Sequence, residues 1–115
     1  MSETLFTKIV KREIPADIVY ETDNVLAFRD ISPQAPVHIL IIPKEEIESV
    51  RNMTGAEHGK LLGEMIDAAN EIAKQEGIFE DGFRLVFNAG AKAGQAVFHL
   101  HMHLLGGRVM KWPPG

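Results

Sequence analysis

The stretch that most constrains this chain is His99-Leu100-His101-Met102-His103-Leu104-Leu105. Three imidazoles alternate with apolar residues, and a period of two belongs to a strand, not a helix. On a strand the three rings share one face. Phe98, Leu100, Met102 and Leu104 share the other, which being apolar is expected to face a core. Three of the five histidines are spent here. A purely structural role fits such a constellation poorly. Two chemistries remain. Imidazole suits zinc, and i, i+2 side chains on a strand can converge on one ion. Imidazole nitrogen can also attack an electrophilic phosphorus while neighbouring rings handle protons. The residues alone leave metal and nucleophile open.

A chain of 115 residues with 45% hydrophobic side chains suits one small domain, here residues 1–115 with a tail at about 108–115. No cysteine is present, so disulfides and thiolate metal sites are excluded. The first residues show no basic region leading into an apolar leader, and no stretch approaches a membrane span. A cytoplasmic protein without a membrane partner is the expectation. Twelve basic against sixteen acidic side chains, with no dense cationic patch, disfavour long nucleic acid as a partner. A single nucleotide needs no such patch.

Along the chain, Leu5, Phe6, Ile9 and Val10 predict a short helix capped by Thr4 and ended before Pro15. Strands are expected over 18–21 and 25–29, joined as a hairpin, then over 37–42 and 83–87. The third strand is almost wholly apolar and should be central, with His38 as a buried ring in need of a partner. Thr54 opens a helix with capping-box spacing to Glu57. Leu61, Leu62, Met65, Ile66, Ala69, Ile72 and Ala73 form its stripe, and Gly77 is its stop. His58 receives no role. The segment from Asn88 to Ala96 is rich in glycine and alanine and precedes the histidines. Small residues let backbone N–H groups approach an anion. It is neither a P-loop nor a dinucleotide fingerprint. Asp30, in a loop stiffened by Pro33 and Pro36, suits either a turn or ribose hydroxyls.

These residues resemble the histidine triad (HIT) family. The His-x-His-x-His-x-x run carries the likeness. So do Phe28-Arg29-Asp30-Ile31-Ser32-Pro33-Gln34-Ala35-Pro36, Ile42-Pro43-Lys44, Asn88 with Gly94-Gln95, and Gly106-Gly107-Arg108 with Trp112-Pro113-Pro114-Gly115. The chain is similar to the Hint branch of nucleoside phosphoramidases. The resemblance implies an α+β fold with a five-stranded antiparallel sheet, one long and one short helix, and a two-fold homodimer. It implies purine nucleoside monophosphates and their phosphoramidates as ligands, with no cofactor and no metal. By that likeness His101 is the nucleophile, His103 contacts the phosphate, and His99 and His38 support them. Asn88, Gly94, Gln95 and Ala96 surround the phosphate, and Asp30 holds the ribose. Leu5, Phe6, Ile9, Phe28, Ile31 and Leu40 line the base pocket, and Trp112 approaches the partner subunit's site. Ala96 departs from many animal members, which have serine there. Its methyl group cannot bond the leaving group, although its N–H remains. A nucleotide-binding regulatory dimer and a zinc protein built on His99, His101 and His103 are the alternatives.

Overall fold

The computed structural model describes residues 3–115; residues 1 and 2, part of the start read above for a leader, lie outside the described residues. Helix α1 spans Leu5–Val10. It starts where expected because Thr4 and Thr7 bond each other's backbone N–H in a reciprocal capping box. Strands β1 (Ile18–Glu21), β2 (Val25–Arg29), β3 (Val37–Pro43), β4 (Phe83–Phe87) and β5 (Met102–Gly106) form one antiparallel sheet in the order β1-β2-β3-β5-β4. Every residue of β3 is buried, as its unbroken apolar run requires of a central strand.

Helix α2 spans Gly55–Gln75 and covers one face of the sheet. Met65, Ala68, Ala69, Ile72 and Ala73 pack there against Ile39, Ile41, Leu100, Met102 and Leu104. Leu61 packs at the margin, whereas Leu62 is only half-buried and Ile66 is 38% exposed, so the stripe is wider than the core it covers. Gly77 stops the helix with φ +74°, a left-handed conformation that glycine adopts without strain. The Thr54 cap is made, its side chain accepting from Glu57 N. The return bond comes from His58, whose Nδ1 accepts from Thr54 N at 3.0 Å. His58 therefore has a structural task that its spacing did not signal. The other face of the sheet carries α1, with Phe6 and Ile9 against Leu26, Phe28, Leu40 and Ile42.

The ladder of β5 begins at Met102, not at His99. Pro43 explains the difference. It closes β3 without an N–H to offer a longer ladder, and its carbonyl is taken by the His99 ring at 2.8 Å. The backbone turns instead towards Ile47, whose carbonyl accepts from Leu100 N. The alternation nevertheless survives. Leu100, Met102 and Leu104 enter the α2 core, while the histidines face α1. Phe98 departs from the expected apolar row and is 40% exposed.

Leu104 is fully buried and locks the histidine strand to α2. Leu104→Ala should cost about 2–5 kcal/mol, read from urea unfolding. A loss well below that range would mean that Leu104 does not sit in the main core.

Candidate functional site

On the α1 side, β3 and β5 bring His38 and the three alternating rings together. Leu40 lies opposite His103 in the register, and His38 opposite Leu105. The ring centroids of His101 and His103 are 5.0 Å apart, and those of His38 and His103 are 5.2 Å apart. Phe6 from α1 meets the His101 ring edge-on at 5.1 Å.

Hydrogen bonds fix the proton on each ring, because a carbonyl can only accept and an amide N–H can only donate. The carbonyl of His99 lies 2.8 Å from Nδ1 of His101, so Nδ1 carries the proton and Nε2 keeps its lone pair. His99 is held in the same way through Nε2, which donates to Pro43 O. Gln34 N–H donates to Nδ1 of His38 at 3.0 Å, which places the His38 proton on Nε2. That proton faces Nδ1 of His103 at 2.9 Å and Asp30 Oδ2 at 3.5 Å. His103 is thereby left with its proton on Nε2, a buried donor with no partner among the described residues. His101 thus presents a free imidazole lone pair and His103 a free imidazole N–H. Nδ1 of His99 is also buried without a partner there.

Burial holds all four rings below the usual imidazole value of 6.5. For His103, desolvation and the neighbouring His101 and His38 lower it to about 4. The rings are neutral at neutral pH, which keeps the lone pair of His101 available.

Asp30 forms an Asx turn, accepting from Ser32 N at 2.8 Å, and stands at the end of a cleft of about 550 Å³. Leu5, Phe6, Ile9, Phe28, Ile31 and Leu40 line this cleft together. Ile14, Pro15, Ala16, Asp17, Arg29 and Val97 line it too. Ile14 to Asp17 escape a sequence reading because that segment has no periodicity and belongs to no element. The backbone groups of Gln34 and Pro43 escape it for a simpler reason: no side chain reports on them.

The glycine-rich segment folds as a tight loop around a 3-10 turn at Ala91–Ala93. Gly90 and Gly94 have φ of +91° and +94°. The N–H groups of Gly94 and Gln95 bond to the carbonyls of Ala91 and Gly90, whereas that of Ala96 has no partner among the described residues. The Gln95 side chain is buried and spans the loop. It accepts from Gly90 N and donates to the carbonyls of Glu48 and Val97. Asn88 packs towards Gly94, its amide nitrogen 3.9 Å from where a Cβ on that glycine would stand. Trp112 lies apart from this cluster, 85% exposed in a tail whose Lys111 and Pro114 carbonyls accept from Arg84.

The donor atoms of His99, His101 and His103 do not converge; among the described residues those of Asp30, His38 and His103 do. That cluster does not fit a zinc ion. Coordination through Nε2 of His38 would require its proton to move to Nδ1, against the Gln34 N–H.

Comparison with known proteins decides the family. A model of the HIT domain matches residues 11–110. The chain belongs to the HIT-domain family. It is 61% identical over 106 residues to the purine nucleoside phosphoramidase of Escherichia coli (strain K12), covering 92% of this chain and 88% of that protein. It is 54% identical to a 14 kDa zinc-binding protein of Zea mays, covering 99% and 89%. The crystal structure of a HIT family hydrolase from Legionella pneumophila Philadelphia 1 superimposes with a TM-score of 0.95 at 50% identity, covering 98% and 100%. In HIT-family terms, the alternating run is the histidine triad.

The neutral, buried triad makes stability depend on pH in a definite direction. With the folded pKa of His103 near 4 and the ordinary value at 6.5, the unfolded chain binds the proton first. Stability from this ring is complete above pH 6.5 and is lost as pH falls towards 4. The urea midpoint should drop between pH 6.5 and 5, above the range where most carboxylates titrate. His103→Gln should flatten that drop, and an unchanged slope would contradict the assignment.

Proposed function

We propose that this HIT protein is a purine nucleoside phosphoramidase that acts through a nucleotidyl-histidine intermediate. The free Nε2 lone pair of His101, created by the bond from Nδ1–H to the His99 carbonyl, carries the reading. That nitrogen attacks the phosphorus of a nucleoside 5′-phosphoramidate. A new N–P bond forms as the P–N bond to the amine breaks. The departing nitrogen must take up a proton, because an unprotonated amine is a poor leaving group. That proton comes from solvent water, since neutral His103 cannot give up its only N–H without becoming an imidazolate; the Nε2–H of His103 and the unspent Ala96 N–H instead hydrogen-bond the charge that develops on phosphate oxygen. Water then attacks the same phosphorus and releases a proton to solvent, the N–P bond to His101 breaks with its electron pair returning to Nε2, and the monophosphate leaves. His99 and His38 act through the other two rings. Asn88 and the loop 94–96, held in shape by Gln95, take the phosphate. Asp30 takes the ribose hydroxyls, and the apolar cleft takes the base.

A homodimer is part of this reading. Strand β4 ends the sheet with one side of its backbone unpaired, and Phe83-Arg84-Leu85-Val86-Phe87 is an apolar edge that a monomer leaves open to association. Ile66 and Leu62 extend the apolar surface along α2. A two-fold pairing of these edges would cover both and carry Trp112 towards the partner's cleft. Among the described residues no helix is long and apolar enough to cross a membrane, and we place the protein in the cytoplasm.

Two experiments test the reading. Rapid quenching with a labelled adenosine phosphoramidate should trap nucleotide on His101, located by peptide mapping. His101→Ala should lower kcat by at least about 10²–10⁴-fold while monophosphate binding persists. Label on His99 or His103, or full turnover by His101→Ala, would overturn the mechanism. Sedimentation should give twice the chain's 12.8 kDa, and charged substitutions at Leu85 and Ile66 should yield monomers.

A further inference from the structure

We propose that Asp17 makes the base cleft select guanine over adenine; the inference rests on that cleft being the purine site. Three charged side chains line the cleft, Asp17, Arg29 and Asp30, and the rest of the wall is almost wholly apolar. Two of the three are already committed. Asp30 gives one oxygen to Ser32 N–H and turns the other towards His38, at the histidine end. Arg29 spends both terminal nitrogens on the Glu76 carboxylate, at 2.7 and 2.9 Å. The pair holds the Arg29 guanidinium above its ordinary pKa and the Glu76 carboxyl below its own, as a bidentate ion pair should.

Asp17 remains. Its backbone carbonyl accepts from Arg29 N at 3.0 Å, which fixes it beside β2 at the cleft wall. Its carboxylate makes one long contact, Oδ2 to Arg29 Nε at 3.5 Å, and is 71% exposed. The uncommitted polar group on this wall is therefore a pure acceptor with two oxygens.

The purines differ in what they offer such a group. The Watson–Crick edge of guanine presents N1–H and N2–H side by side, two parallel donors matched to two carboxylate oxygens. The edge of adenine places one donor, N6–H, beside the N1 lone pair, so one oxygen gains a bond and the other meets repulsion. Hypoxanthine offers N1–H alone. The order set by Asp17 is guanine, then hypoxanthine, then adenine. A carboxylate serving only to neutralise Arg29 would produce no such order. The site lies at the β1–β2 end of the sheet, opposite the β4 edge.

Because Asp17 is exposed, each bond is worth little, and a preference of about three- to tenfold is expected. The measurement is calorimetric titration of the full chain with GMP, IMP and AMP, for the wild type and Asp17→Asn. The wild type should bind GMP about three- to tenfold more tightly than AMP, with IMP between them. Asparagine carries a donor and an acceptor, which suits adenine, so Asp17→Asn should bring the GMP:AMP ratio to about one or below. Equal wild-type affinities, or a ratio that survives the substitution, would overturn the proposal. Monophosphate binding requires no turnover, so the test is separate from the hydrolase reading. If phosphoramidates are cleaved without an Asp17-dependent ratio, this inference alone fails. If the ratio appears and no phosphoramidate is cleaved, base selection stands and the hydrolase reading fails.

Discussion

The hydrogen bond from Gln34 N–H to Nδ1 of His38 governs the protonation of that ring and of His103 behind it. A backbone amide cannot reverse its polarity, so the His38 proton must sit on Nε2, and the His103 proton must sit on the nitrogen left free. The carbonyl of His99 imposes the complementary state on His101. Two main-chain groups thus leave a free lone pair on one ring and a free N–H on another, although the rings are chemically identical. Burial reinforces the assignment by disfavouring protonation of all four.

The sheet keeps two demands apart. Its α2 face is a dry core of interleaved aliphatic side chains that fixes the backbone of β3 and β5. Its α1 face is covered by a helix of only six residues, which buries Phe6 and Ile9 but leaves a cleft beside them. The rings can be positioned closely because the strands carrying them are anchored from behind. The Arg29–Glu76 pair extends the anchoring to the far end of the cleft, tying β2 to the end of α2.

Much of this was legible in the chain. The apolar run of β3, the Thr4 and Thr54 caps, the Gly77 stop and the alternation at 99–105 are local signals, each set by neighbours within a few residues. They determine the elements and the side of the chain on which the histidines stand. The HIT motif added the proposed chemistry to that side. The expected extent of β5 missed the ladder's start by three residues, because the limit comes from Pro43, 56 positions away in sequence.

What the sequence determined by itself was a set of helices and strands with one face of imidazoles, because hydrophobic period and capping act over short range. What only the tertiary structure decided was which nitrogen of each ring is free, which loop amide is unspent, and that Asp17 lines the apolar cleft beside α1. Those properties depend on backbone groups of Gln34, Pro43, Gly90 and Ala91, and on packing between elements far apart in the chain. A main-chain carbonyl or amide looks alike at every position in the sequence and differs only by what the fold places against it.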